Sequence, residues 1–228
     1  MKGGVSRFLG RGAPASLQAV ESYLVPAHEA TAELEVKRSR FRCRLVRVET
    51  EEAARAVIAE ERGTHGTAGH HCSAFVIGPT ATTVRSSDDG EPSGTAGPPI
   101  LDALRGAGLS DVVAVVSRWF GGTLLGTGGL VQAYGDATRA GLELAGRRRR
   151  ELRHRLEVTV DFGAAGRLED LLRREAAGVE VDYHSTHATL RAAAPARSLD
   201  LLRAMIMTAT GGTAELRALD PRWVDLTR

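Results

Sequence analysis

The amino-acid sequence predicts an α+β fold in two domains, and three patterns indicate it. Between residues 30 and 145, segments with the alternating apolar pattern of strands are mixed with segments of helical spacing. Beyond residue 150 the same patterns recur in the order β-α-β-β-α-β, which is the ferredoxin-like order. The arginine run Arg147–Arg150 separates the two parts. We therefore predict a flexible tail over residues 1–22, a first domain over 23–146, an arginine-rich linker over 147–151 and a ferredoxin-like domain over 152–222.

The composition is that of a globular chain. Of the 228 residues, 43% are hydrophobic, and the net charge is +2. The longest apolar run, Val112–Val116, is far shorter than the ~18–20 residues that a membrane helix needs, so no membrane partner is expected. Two cysteines, Cys43 and Cys72, cannot form a disulfide framework, and we expect a reduced, cytoplasmic protein.

The first domain begins with two strands. Apolar residues change parity between Leu34–Val36 and Phe41–Leu45, and a strand has period two, so a turn or bulge is predicted near Lys37–Arg40. In the second strand the arginines point away from the apolar side; they are Arg40, Arg42 and Arg44. Thr50 is a good N-cap for a helix that Gly63 ends.

The rest of the first domain alternates strands, loops and helices. His70–Ile77 is apolar on both sides and predicts a central strand, whereas Thr80–Ser86 predicts an edge strand. A polar loop over Ser86–Gly97 leads into a helix that Pro98 and Pro99 begin. The remaining predicted elements are a strong strand over Asp111–Phe120, a glycine-rich loop over Gly121–Gly129 and a helix over about Leu130–Ala145.

The second domain has strands that alternate cleanly, so we expect helices on one face of its sheet and an open second face. RNA-recognition modules of the same order stack bases on outward aromatic residues. The outward positions here carry no aromatic residue and an excess of acid, so base stacking on this face is not expected.

Two basic runs are candidates for contacts with phosphate. Residues 37–47 contain six cations and no acid, and Arg147, Arg148, Arg149 and Arg150 form the second run. A solvated strand face and a linker are the alternative interpretations.

The glycine-rich loop could present backbone N–H groups to an anion. Its glycines are Gly121, Gly122, Gly126, Gly128 and Gly129. No lysine follows Gly126, and Val131 occupies the place of a third glycine, so neither common nucleotide motif is present. A tight turn that packs the helix onto the sheet is the alternative.

The polar loop offers three carboxylates around Gly90, namely Asp88, Asp89 and Glu91. They could bind a cation or transfer protons, or they could simply form a solvated turn. We expect this loop, Arg118–Phe120 and the glycine-rich loop to surround one concave surface. The sequence His70–Cys72 does not predict a zinc site, because neighbouring strand residues point to opposite faces; we predict no metal, no cofactor and a buried, unreactive Cys72.

Four segments together resemble the YigZ/IMPACT family, also called UPF0029. The sequence GPPILDALRGAGLSDVVAVVSRWFGGTLLGTGGL, Gly97–Leu130, looks like the family signature. KRSRF (Lys37–Phe41), HHC (His70–Cys72) and SDDGEPSGTAG (Ser87–Gly97) also match, and they add Arg40 and His71 to the candidate binding residues.

The resemblance implies a first domain similar to domain 2 of ribosomal protein S5 and a second similar to a ferredoxin-like domain of elongation factor G. Eukaryotic members restrain an amino-acid-starvation kinase with the help of an additional RWD domain, for which we expect no room before Tyr23. We therefore expect a non-enzymatic binding protein that is linked to translation and contacts RNA, the ribosome or a translation factor. The alternative is an enzyme that acts on a phosphorylated small molecule at Asp88–Glu91, Arg118 and the glycine-rich loop. The sequence leaves the oligomeric state open.

Overall fold

The computed structural model describes residues 20–175 and 178–226 and has the predicted α+β fold. Of the predicted tail over residues 1–22, residues 1–19 lie outside the described residues. The elements in chain order are β1 (Ser22–Pro26), β2 (Ala30–Val36), β3 (Ser39–Arg47), α1 (Glu51–Thr64), β4 (His70–Ile77), β5 (Thr83–Ser87), α2 (Gly97–Gly106), β6 (Val112–Trp119), α3 (Gly126–Ala145), β7 (Arg147–Val160), α4 (Phe162–Glu175), β8 (Val179–Tyr183), β9 (Ala188–Ala194), α5 (Ala196–Ala209) and β10 (Glu215–Asp225).

The first sheet has the strand order β2-β3-β6-β4-β5, and every neighbouring pair is antiparallel. The predicted turn between the first two strands is present: Lys37 and Arg38 both have positive φ, as a tight two-residue hairpin requires. The β4 strand is central and β5 is at the edge, as predicted. Helices α2 and α3 cover the main core on one face, and α1 covers the other.

Helix α1 begins at its predicted cap, where the Thr50 hydroxyl accepts a hydrogen bond from the amide of Ala53. Helix α3 corrects the prediction, because it begins at Gly126 rather than near Leu130. Gly126, Gly128 and Gly129 therefore belong to its first turns, and the irregular loop covers only residues 120–125. Glycine is a poor helix former, but packing of the buried face decides where a helix extends. Buried Leu130 and Tyr134 supply that face.

The second sheet confirms the ferredoxin-like order, since β8, β9, β7 and β10 lie side by side and are antiparallel. Leucines of α4 and α5 pack on one face of it, among them Leu168, Leu172 and Leu202. The interpretation of residues 147–151 as a linker is wrong, because they are the first residues of the long strand β7. Strand β1 pairs with them in an antiparallel register, from Ser22↔Glu151 to Pro26↔Arg147.

Ion pairs connect the two sheets. The Arg150 guanidinium lies 3.1 Å from the carboxylate of Asp111 and 2.9 Å from that of Glu49. Asp111 also accepts a 2.6 Å hydrogen bond from the Tyr23 hydroxyl. No helix among the described residues is both long and apolar enough to cross a membrane.

Candidate functional site

The tip of the β2–β3 hairpin and the loop after β6 meet at one end of the first sheet. The amide of Gly121 donates a 3.1 Å hydrogen bond to the Ser39 hydroxyl. A β-carbon on Gly121 would lie 2.0 Å from the carbonyl carbon of Arg38, so only glycine fits against the hairpin. This contact brings two predicted candidates, Gly121 and Arg40, to the same place in the fold.

Arg40 stacks on the ring of Trp119, which was predicted to lie on the concave surface but was not among the candidate binding residues. Arg40 and Trp119 are register partners, and the guanidinium carbon lies 3.8 Å from the centre of the indole ring. The indole Nε1 donates a 3.0 Å hydrogen bond to Thr67, which fixes the ring. The stack holds Arg40 on the surface in one position.

The first basic run divides into two halves with different roles. Arg42, Arg44 and Arg47 form ion pairs with carboxylates of α1, the β2 region and β10, which favours a structural role for these three residues. Lys37, Arg38 and Arg40 are exposed and form no ion pair within the described residues. Carboxylates lie within ion-pair distance of the second half of the run, whereas Glu35, the register partner of Arg40, forms no ion pair with the hairpin cations within the described residues.

Phe120 lies at the same end of the sheet. It follows β6 directly and keeps 57% of its surface exposed. The Arg118 guanidinium lies between Phe120 and the buried Phe41, at 5.7 Å and 5.5 Å from the two ring centres. We use the name basic–aromatic patch for the residues at this end of the sheet, on whose opposite sides Trp119 and Phe120 lie; they are Lys37, Arg38, Arg40, Trp119 and Phe120.

A buried ion pair holds Arg118 in place. Arg118 is 6% exposed, and its Nη1 donates a 2.7 Å hydrogen bond to the Glu91 carboxylate. The Tyr134 hydroxyl donates a second 2.7 Å hydrogen bond to the same oxygen, and burial raises the pKa of this tyrosine. Glu91 and Arg118 therefore meet as predicted, but in a closed contact and not around an open concave surface.

The other two carboxylates of the polar loop are also engaged. The carboxylate of Asp88 accepts hydrogen bonds from the amides of Gly94, Ala96 and Gly97 at 2.8–3.0 Å. Burial acts to raise the pKa of Asp88, but the three backbone donors outweigh it and hold the pKa below the usual value. Asp89 accepts hydrogen bonds from the Arg62 guanidinium and a backbone amide. These contacts fold the loop onto the sheet.

The His70–Cys72 strand lies largely inside the molecule. His71 is 5% exposed, and its ring Nε2 lies 3.2 Å from the carbonyl oxygen of His65, so its side chain contacts the protein itself. Burial raises the pKa of both thiols, Cys43 and Cys72, to about 12. Among the described residues, no three His, Cys, Asp or Glu side chains are grouped to hold a metal ion.

The second basic run is the beginning of strand β7, so its arginines point alternately to two sides of the strand. Arg150 and Arg148 face acidic groups, the former Asp111 and Glu49, the latter Asp225. Arg147 and Arg149 are exposed on the other side of the strand. A cavity of about 830 Å³ between α2 and α3 extends to Arg147, away from the basic–aromatic patch.

Comparison of the sequence and the fold with known proteins identifies a family that this chain matches. The family model for the Impact N-terminal domain matches residues 37–142, which include the whole patch. The chain is 36% identical over 204 residues to the IMPACT family member YigZ of Escherichia coli, covering 88% of this chain and 100% of that protein. It is 41% identical to the IMPACT family member YvyE of Bacillus subtilis, over 68% of this chain and 71% of the relative. A crystal structure described as that of a hypothetical protein matches with a TM-score of 0.61 and 36% identity, over 88% of this chain and 98% of the other.

Proposed function

The chain belongs to the IMPACT family, and on that premise we propose that it is a non-enzymatic RNA-binding protein linked to translation. The observation that carries the proposal is the stack of Arg40 on Trp119 beside Lys37 and Arg38, which have no ion pair within the described residues. Exposed cations that form no ion pair within the described residues suit phosphate oxygens, and adjacent aromatic rings are typical of nucleic-acid surfaces. The link to translation comes from the family resemblance, and two free cysteines support a reducing, cytoplasmic location.

The contacts of the polar loop favour binding over catalysis. A general acid or base needs a proton that it can exchange with a substrate. Asp88, Asp89 and Glu91 instead accept hydrogen bonds from the protein's own amides, arginines and tyrosine. We therefore rank the enzyme that acts on a phosphorylated small molecule below the RNA-binding protein.

The test compares a variant that lacks the three cations of the patch with a control variant that loses the same charge at other exposed positions. Lys37→Asn and Arg38→Asn keep a residue that tolerates positive φ, and Arg40→Gln keeps the stem of the side chain. The control variant changes three exposed arginines elsewhere to glutamine, namely Arg105, Arg167 and Arg174. Both variants lose the same net charge.

Affinity for a labelled RNA is measured by fluorescence anisotropy over a range of salt concentrations. The patch variant should bind more weakly, and the slope of log K against log salt should fall by about 0.7 for each lost phosphate contact with a single strand. Equal losses in both variants would contradict the proposal. Adding Arg147→Gln and Arg149→Gln tests the second exposed basic surface in the same assay. A translation factor captured from lysate after nuclease treatment, with no RNA binding by the purified protein, would favour a protein partner instead.

A further inference from the structure

We infer that the basic–aromatic patch takes single-stranded and not duplex RNA, with one unpaired base stacked on Phe120. This inference rests on the proposed function and names the form of RNA that the same surface recognises. It depends on how Phe120 is held, on which aromatic face is free, and on the space beside it.

Phe120 is held in place from beneath. Its ring lies over the guanidinium of Arg118, which is itself 6% exposed and bonded to buried Glu91. More than half of the phenylalanine surface nevertheless remains in water, at 57%. An apolar ring that is fixed on one side and open on the other is ready to stack without first losing conformational freedom.

Trp119 cannot take this role, because Arg40 already covers its ring at 3.8 Å. The two aromatic residues therefore divide the work. Trp119 positions a cation for phosphate, and Phe120 offers the free face for a base. Neighbouring residues in an extended protein chain point to opposite sides. An RNA strand that contacts both Arg40 and Phe120 therefore passes around the end of the sheet.

The two residues that follow Phe120 are glycines and have no side chains. Gly122 has positive φ, and a β-carbon there would meet nothing within 4 Å. A nucleotide can therefore approach the ring without meeting a side chain at this position. In duplex RNA the base faces are stacked on each other and unavailable, whereas single strands present them to aromatic rings. Stacking of one base on an aromatic ring depends little on the base sequence. Replacing that aromatic residue by alanine lowers the affinity for a single strand by about 5- to 150-fold.

The experiment uses the full chain and three variants. Phe120→Ala removes the ring, Phe120→Trp keeps a stacking surface, and Phe162→Ala removes an aromatic residue of similar exposure, 48%, from the second sheet's helix α4. Each is titrated with an unstructured 12-nucleotide RNA, with the same strand annealed into a duplex, and with a matched strand that lacks bases. Thermal unfolding confirms that each variant folds.

The unchanged chain should bind the single strand at least tenfold more tightly than the duplex. Phe120→Ala should lose about 5- to 150-fold for the single strand and little for the duplex or the abasic strand, with the same salt slope, because no phosphate contact is removed. Phe120→Trp and Phe162→Ala should bind as the unchanged chain does. Equal affinity for duplex and single strand, or no effect of Phe120→Ala, overturns the inference. If the inference fails in this way but the variant without the three cations still binds RNA more weakly, RNA binding by the patch is retained and only the stacking on Phe120 is wrong. If that variant binds RNA as the unchanged chain does, the stacking and the proposed function are both wrong.

Discussion

Gly121 packs so closely on Arg38 that a β-carbon at position 121 would lie 2.0 Å from the carbonyl carbon of Arg38. The contact joins the loop that follows β6 to the tip of the β2–β3 hairpin. It places Phe120 at the hairpin that carries the cations of the patch. The geometry of the patch therefore depends on a backbone contact as well as on its side chains.

Gly121→Ala should separate these two segments. The clash involves backbone and cannot be relieved by a side-chain rotation, so we expect a loss of about 1–3 kcal/mol in the free energy of unfolding and weaker RNA binding. Urea unfolding and anisotropy measure the two effects. Gly128→Ala is the control, since it lies in α3 with ordinary φ and open space, and it should stabilise the protein by about 0.5–1 kcal/mol. A Gly121→Ala protein as stable as the unchanged chain would contradict the close contact.

Glu91→Ala should be one of the most destabilising single changes in the first sheet. It leaves the Arg118 charge buried without its partner, and the loss of one member of a buried pair costs about 3–5 kcal/mol. Asp136→Ala breaks an exposed pair with Arg139 and should cost less than about 1 kcal/mol. The midpoint of denaturant unfolding, at unchanged slope, distinguishes the two. Similar shifts in both variants would show that the Arg118 charge is solvated.

The connection between the sheets should weaken in acid. A hydrogen bond from Arg47 holds the pKa of Asp225 below its ordinary value of 3.8, and this outweighs the effect of burial. The unfolded chain therefore binds more protons than the folded chain near pH 3–4, so the stabilisation is complete above about pH 5 and is lost as the pH falls through the folded pKa.

Asp225→Asn provides the test of this pH dependence. The variant should be less stable than the unchanged chain at pH 7, and the difference should shrink as the pH falls below about 4 and Asp225 takes up a proton. Urea unfolding at a series of pH values measures the difference. A difference that stays constant from pH 7 to pH 2.5 would mean that Asp225 does not titrate against Arg47.

Cys72 should be unreactive in the folded protein. Burial raises the pKa of its thiol to about 12, and its Sγ lies 3.0 Å from the Asp88 carbonyl oxygen. A thiol reagent should therefore label it only when the chain unfolds in urea. Cys72→Ser should leave RNA binding intact and cost about 1–3 kcal/mol. Native labelling as fast as labelling in urea would contradict the burial of this thiol.

Several elements could be predicted because their signals are local. The parity change before Phe41 predicted a turn or bulge, which is the turn of the β2–β3 hairpin, and the apolar run Val112–Val116 predicted a strong strand. Strand β1 was missed because five residues, Ser22–Pro26, carry too short an alternation, and it forms only because β7 offers an unpaired edge. The start of α3 was missed because its glycines have low helix propensity, which packing of Tyr134 overrides.

The α+β class and the ferredoxin-like order follow from the amino-acid sequence, because a period of two or of 3.6 residues is a property of neighbouring positions. The role of each charged side chain follows from the folded structure instead. Arg40 and Arg42 lie two residues apart on the same face of β3, yet Arg42 forms an ion pair with Glu61 of α1, while Arg40 lies on Trp119 and forms none within the described residues. The electrostatic role of a side chain depends on the group that folding places opposite it, and that group is distant in the sequence.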